Sequence, residues 1–398
     1  MKRINYARAL LIGLGLVING TAIAKDFLPQ SDASIVERLA PRVLTRQAQA
    51  KGEVNGSTAS LSENDSQETA KRWIQLSRQT SDPRYLGRAQ SVLTKWWDRA
   101  DAPADIAVLQ ATIEQSRHEF DKARASLLRV VRNAPNHAQA WLTIATLERL
   151  SANYPAAIVA CEQVARSGNV FYGQACQFET LSLQGDFATA RAGFDKLLNL
   201  NKGAPSGRGI SADDQAWLWS LQAENEERAG KDASAMKAYA TSLALANDGY
   251  TALAYADGLL RLAKPDQALK VLMNQPDSDA VLLRRAYAQK RLGDANWQGL
   301  NQQLKERFAA LKLRGEETRL HARELALAAF WLDQQYGDAA ALAMINLQMQ
   351  KEPFDWWLAL SSSQSAGLNN QVTKLKDSLM RSGLVDQRLS TWQVKAKP

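Results

Sequence analysis

Histidine and cysteine are scarce: His118, His137 and His321, with Cys161 and Cys176, are all that 398 residues contain. None of the histidines belongs to a His-Glu-x-x-His pair, and two cysteines without a Cys-x-x-Cys do not make a zinc site. Missing too are a Gly-x-x-x-x-Gly-Lys-Ser/Thr loop, a Gly-x-Ser-x-Gly elbow and a Gly-x-Gly-x-x-Gly turn. The sequence therefore predicts no catalytic residues, no cofactor and no metal. Long apolar runs are missing as well. Ala9 to Ile18 is too short for an ordinary transmembrane helix, and nothing later reaches 18 uninterrupted apolar residues, so no transmembrane helix is expected in the mature chain. Charge of one sign is also in short supply. The net charge is +8, with basic and acidic side chains interleaved. That describes solvated helix faces rather than a nucleic-acid footprint.

The first 24 residues read as an export signal. Lys2, Arg3 and Arg8 form a basic head, Ala9 to Ile18 an apolar run, and Ala22-Ile23-Ala24 a small-residue cleavage site. Removing three positive charges leaves +5 on the mature chain, which is mild for its length. A periplasmic protein is expected, cut after Ala24. Residues 25–50 hold one amphipathic segment, with Ile35, Val36, Leu39, Val43 and Leu44 at helical spacing around Pro41. Residues 51–67 are rich in Gly, Ser, Asn, Glu and Asp and read as a flexible linker.

From residue 68 to about 386 one feature dominates. Ala89, Ala123 and Ala157 are 34 residues apart, and Ala190 follows after 33. Each is preceded by an aromatic and followed four residues on by a large apolar side chain, often with a proline beyond. A period of this length means stacked helical hairpins, because one hairpin cannot bury its own faces. Small residues on both helices let the backbones approach, large apolar residues one turn away fill the grooves, and proline ends the hairpin. About nine such units are expected, interrupted by a Gly- and Pro-rich inserted loop at about 201–209 and followed by a polar, loose tail at 387–398.

This pattern resembles the tetratricopeptide repeat, best in the unit carrying Trp141, Ile144, Ala145, Tyr154 and Ala157. The resemblance implies an all-α, elongated superhelical solenoid with a concave groove. It also implies that particular first-helix positions line that groove: Arg78, Arg149, Tyr172, Trp217, Glu224, Tyr250, Asp257, Tyr287, Arg323, Phe330 and Trp357. The Lys, Asn and Arg set with which some members clamp a carboxyl terminus is absent. In the repeat register Cys161 lies on the second helix of one unit and Cys176 on the first helix of the next. They are either a disulfide, which export permits, or two small buried thiols.

Other features have plainer readings. His118 and His137 fall in turns and read as surface residues, and His321 starts a helix. Glu224-Asn225-Glu226-Glu227 reads as a solvated face or a polar strip of the groove, with nothing apolar nearby to raise a pKa. Trp73, Trp141, Trp219 and Trp356 occupy the repeat's structural tryptophan position. The amphipathic segment at 25–50 either caps the first unit or reaches the groove on its tether. Together these features predict a non-catalytic exported scaffold that binds a protein or peptide partner in its groove. Two alternatives stand beside it: an assembly subunit of an envelope machine for polysaccharide export or cytochrome maturation, and a peptidoglycan-binding or glycan-active protein.

Overall fold

The structure, a computed structural model, describes residues 61–80, 82–201, 210–313 and 318–393. The expectations for the signal peptide, the amphipathic segment at 25–50 and most of the loop at 201–209 lie outside the described residues. The chain divides at residue 60, and its larger unit begins at Leu61 and contains all of the described residues.

Nine helical hairpins succeed one another among the described residues. They are α1 (Glu63–Thr80) with α2 (Arg84–Leu93), α3 (Ala104–Ser116) with α4 (Phe120–Asn133), and α5 (Ala138–Leu150) with α6 (Tyr154–Arg166). Next come α7 (Val170–Leu183) with α8 (Phe187–Leu198), α9 (Ala212–Arg228) with α10 (Asp232–Leu245), and α11 (Gly249–Arg261) with α12 (Pro265–Leu272). The last three are α13 (Asp279–Leu292) with α14 (Trp297–Leu313), α15 (Ala322–Leu327) with α16 (Tyr336–Met349), and α17 (Pro353–Ser365) with α18 (Asn369–Ser382). Each helix packs on the next in sequence, except that α15 meets α13 rather than α14. The fold is an all-α stack of repeated hairpins.

The repeat alanines explain the packing. Ala89, Ala123, Ala157 and Ala190 are fully buried where the helices of a hairpin cross, beside the larger Leu93, Leu127, Cys161 and Phe194. Between hairpins the approach is closer still. A Cβ at Gly173 would lie 2.7 Å from the backbone nitrogen of Ala165, so only glycine fits there. Most of the turns between paired helices place one residue in the left-handed region: His118, Ala152, Gly185, Gly230, Ala263, Gly293, Gln334 and Gly367. The recurrence fixes the crossing geometry from one repeat to the next. Cys161 on α6 and Cys176 on α7 are joined by a disulfide with their Cα atoms 5.5 Å apart, which ties the third hairpin to the fourth.

Three expectations need correction. The linker does not extend to 67, because α1 begins at Glu63. Ser62 accepts the Asp65 amide, and Glu63 and Asp65 supply negative charge where a helix start favours it. The tail is not loose through residue 393. Residues 387–389 form a 3-10 turn and Ser390–Gln393 a helical turn, α19, with Asp386 and Leu389 fully buried. Nor is the stack an open, elongated one. The Lys351 amide donates to the Leu150 carbonyl at 2.8 Å, and the Val385 amide to the Leu183 carbonyl at 2.9 Å. One apolar cluster joins Tyr154 and Leu183 to Trp356, Leu384 and Leu389. The last hairpins and the tail thus return to the inner ends of the third and fourth hairpins.

Candidate functional site

Because the rear of the stack meets its middle, the inward side chains of the first helices border a cavity of about 220 Å³ that stays partly open to solvent. Arg149 on α5, Glu224 on α9, Tyr250 and Asp257 on α11, and Arg323 on α15 all line it, five of the residues predicted for the groove. Six cationic and six anionic side chains border the space, and their charges balance. Most are paired. Arg149 meets Glu179 at 2.9 Å, Arg228 meets Glu224 at 3.1 Å, and Arg284 grips Asp257 with two bonds of 2.7 Å. Arg323 binds both oxygens of Asp355 at 2.7 Å and Glu352 at 2.5 Å. Arg388, from the tail, reaches Glu227 at 2.8 Å and Asp386 at 2.6 Å. Such pairing is what makes so much charge tolerable away from bulk water.

Burial leaves its mark on the titrating groups. It lifts the carboxyls of Glu224 and Asp257 above their ordinary range, against the opposing pull of Arg228 and Arg284. Asp355 is pushed up to about 6 by burial despite Arg323. Tyr250 donates its hydroxyl to Glu224 at 2.9 Å, and that neighbouring charge, with burial second, holds its phenol well above the ordinary value. Tyr250 nevertheless keeps 59% of its surface accessible, at the lining of the cavity. The strip Glu224 to Glu227 is therefore not a solvated face. Asn225, Glu226 and Glu227 are buried, with partners mostly in the same and adjacent hairpins: Asn225 donates to the Phe187 carbonyl, Glu226 pairs with Arg191, and Glu227 accepts from Tyr239 and pairs with Arg261 and, from the tail, Arg388.

The other predicted groove residues lie elsewhere. Arg78 is exposed on α1. Tyr172 packs on Trp217 with ring centres 5.9 Å apart and donates to Asp214 at 3.0 Å. Tyr287 stacks on Trp331 at 4.5 Å, and Phe330 and Trp357 meet edge to face at 5.8 Å. These aromatics pack between neighbouring helices rather than forming a ladder along the groove. For Phe330 the cause is local. Residues Ala328–Asp333 form a π-helical turn at the end of α15, and the extra residue per turn rotates the side chains out of the repeat register. His118 is not a free surface turn residue either. It is half-buried, its Nδ1 has no partner, and burial pushes its pKa down.

Sequence reasoning missed Arg284, Glu352, Asp355 and Arg388. Asp355 had a signal, since Glu352 and Asp355 form a capping box at the start of α17. Arg388 had none, because a short polar segment after the last repeat looks the same whether docked or free.

No protein-family model matches the chain, and no curated protein matches it. Among solved structures it is similar to a tetratricopeptide repeat protein from Parabacteroides merdae, at 12% identity and a TM-score of 0.39, over 66% of this chain and 99% of that one. It is also similar to the APC/C hetero-tetramer Cut9–Hcn1, at 12% identity and a TM-score of 0.28, over 86% of this chain and 87% of the other. The repeated hairpin architecture itself rests on the packing of the two helices within each hairpin and of nearly every hairpin on the next.

Proposed function

We propose that this chain is a non-catalytic binding scaffold, exported to the periplasm, that takes a peptide segment of a protein partner at the inner face of its helical stack. The observation that carries the reading is the convergence of five first-helix groove residues on one balanced, mostly paired cavity. A lining whose charges cancel locally has little preference for a bare ion. It suits a ligand that alternates donors and acceptors as a peptide backbone does. A general-acid role for Asp355, whose raised pKa invites one, is disfavoured by its bonding. Its oxygens are taken by Arg323, by Asn346 at 2.6 Å and by the Glu352 amide at 2.9 Å, which leaves no face for a substrate. Export is supported by the basic, apolar and small-residue order of residues 1–24 and by the Cys161–Cys176 disulfide.

Site-specific photo-crosslinking tests the reading. A photoreactive residue in place of Tyr250 is expected to capture a protein or peptide in a native envelope extract. The same residue in place of exposed Arg78 is expected to capture nothing. Equal capture from both positions, or none from position 250, would sink the inner-face assignment.

A further inference from the structure

The inner face already holds one crossing segment, and it belongs to this chain. After α18 ends at the left-handed Gly383, residues 384–389 (Leu-Val-Asp-Gln-Arg-Leu) run across the inner ends of α7 and α9. The Val385 amide donates to the Leu183 carbonyl, at the last turn of α7. One repeat earlier, the equivalent carbonyl of Leu150 on α5 takes the Lys351 amide. Two successive first helices thus offer their terminal carbonyls, which have no partner within the helix, to a crossing backbone. The turn residues beside them leave room for it. A Cβ at Gly185 would lie 2.9 Å from the Cβ of Val385, and one at Gly230 would lie 3.2 Å from the Cβ of Gln387. Alternate residues of the segment therefore meet the turn glycines of successive hairpins. One residue further on, Arg388 reaches Glu227 on α9 while it is braced by the segment's own Asp386, and Leu384 and Leu389 join the apolar cluster.

We propose that the inner ends of α7 and α9 form a docking track for a peptide that runs irregular and then turns, as residues 384–389 do, with this chemistry: two apolar residues, an acid, any residue, an arginine and an apolar residue. Residues 384–389 occupy the track in cis, and a partner segment of the same pattern displaces them. The proposal rests on the peptide-binding reading of the inner face and names the partner's recognition sequence. The backbone bond to the Leu183 carbonyl gives affinity without sequence preference. The two glycine gaps, the Glu227 carboxylate that takes Arg388 and the apolar cluster around Leu384 and Leu389 give the pattern. A segment tethered to α18 competes at an effective concentration on the order of mM. Wild type therefore holds its own segment against any free peptide of µM affinity.

The probe is a fluorescein-labelled synthetic peptide of residues 383–393. It is titrated against the full wild-type chain and against the full chain carrying Val385→Asp and Leu389→Asp, which expel the cis segment. The variant is expected to bind about a thousand-fold more tightly than wild type. Replacing the arginine of the peptide by alanine is expected to weaken that binding about ten-fold. Peptide binding that survives Tyr250→Ala upholds the track even where the cavity assignment fails. A variant that keeps its helical circular dichroism and does not bind the peptide overturns the proposal. Should the variant not fold, hydrogen exchange on wild type decides. Exchange of the Val385 amide through an opening that leaves α7 and α9 protected supports a displaceable segment. Exchange only on global unfolding overturns it.

Discussion

Replacing Arg323 by alanine should unfold this protein more readily at pH 8 than at pH 5. Arg323 holds Asp355 with two bonds of 2.7 Å and Glu352 with one of 2.5 Å. Asp355 is fully buried. Without the guanidinium, its ionised carboxylate keeps only Asn346 and the Glu352 amide, and it faces the Glu352 carboxylate uncompensated. Breaking one side of a buried pair costs about 3–5 kcal/mol. The pH dependence comes from the direction of the shift. In wild type the Asp355 pKa is raised to about 6 from an ordinary 3.8. The folded state therefore binds that proton more tightly than the unfolded state. Its contribution is greatest below the unfolded value and is lost as pH rises through about 6. Arg323→Ala removes the one large influence that lowers this pKa, so it rises further. At pH 8 the wild-type carboxyl is charged and paired, so the variant must either hold it unpaired or protonate it, and protonation limits the loss to about 2–3 kcal/mol. At pH 5 it is protonated in the folded state and most of the penalty disappears. Urea unfolding of wild type and variant at both pH values measures the difference. A loss under about 1 kcal/mol at pH 8, or equal losses at both pH values, would refute the reasoning.

Further expectations concern the stack itself. Replacing Cys161 and Cys176 by alanine removes a crosslink closing a short loop and should cost about 3 kcal/mol. The variant's urea midpoint should then match that of reduced wild type and show no further response to reductant. Gly173→Ala puts a Cβ against the Ala165 backbone, which cannot swing aside. Overpacking of about 1–3 kcal/mol should outweigh the gain of about 1 kcal/mol in helix propensity, and a thermal melt that does not fall would contradict so close an approach of the two helices. His118 has its pKa lowered by burial, so its contribution is present above the ordinary value near 6.5 and is lost as pH falls below it. His118→Asn keeps a residue that tolerates the left-handed turn and should flatten the fall in stability between pH 7 and 5.

The repeat was legible because it depends on local spacing. Ala123 and Ala157 mark the same crossing in successive hairpins, and no distant residue is needed to place them. Half of the site was legible for the same reason. Arg149, Glu224 and Asp257 sit at first-helix positions that any such stack turns inward. The rest depends on where the chain goes after the repeats end. Nothing in Val385 to Leu389 announces that this stretch docks between Leu183 and Glu227, because its anchors are a backbone bond and an ion pair to residues more than 150 positions away. That return also gave the groove a far wall, with Lys351, Glu352 and Arg388 facing Arg149 and Glu224 across the cavity. Phe330 failed for a narrower reason: a π-helical turn at 328–333 breaks the periodicity on which its assignment rested. The aromatics at Tyr172, Tyr287 and Trp357 follow the helical period equally well whether they face the groove or a neighbouring helix. Period alone cannot separate the two.

The most direct test of the inner face as a binding site is a comparison of two tyrosines. A peptide selected on the purified wild-type chain from a random displayed library would be titrated against wild type, Tyr250→Ala and Tyr172→Ala. Tyr250 lines the cavity, whereas Tyr172 packs against Trp217 outside it. Loss of about ten-fold in affinity for Tyr250→Ala, with Tyr172→Ala within about two-fold of wild type, is the predicted result. Equal affinities for all three proteins, or the larger loss at Tyr172, would contradict it.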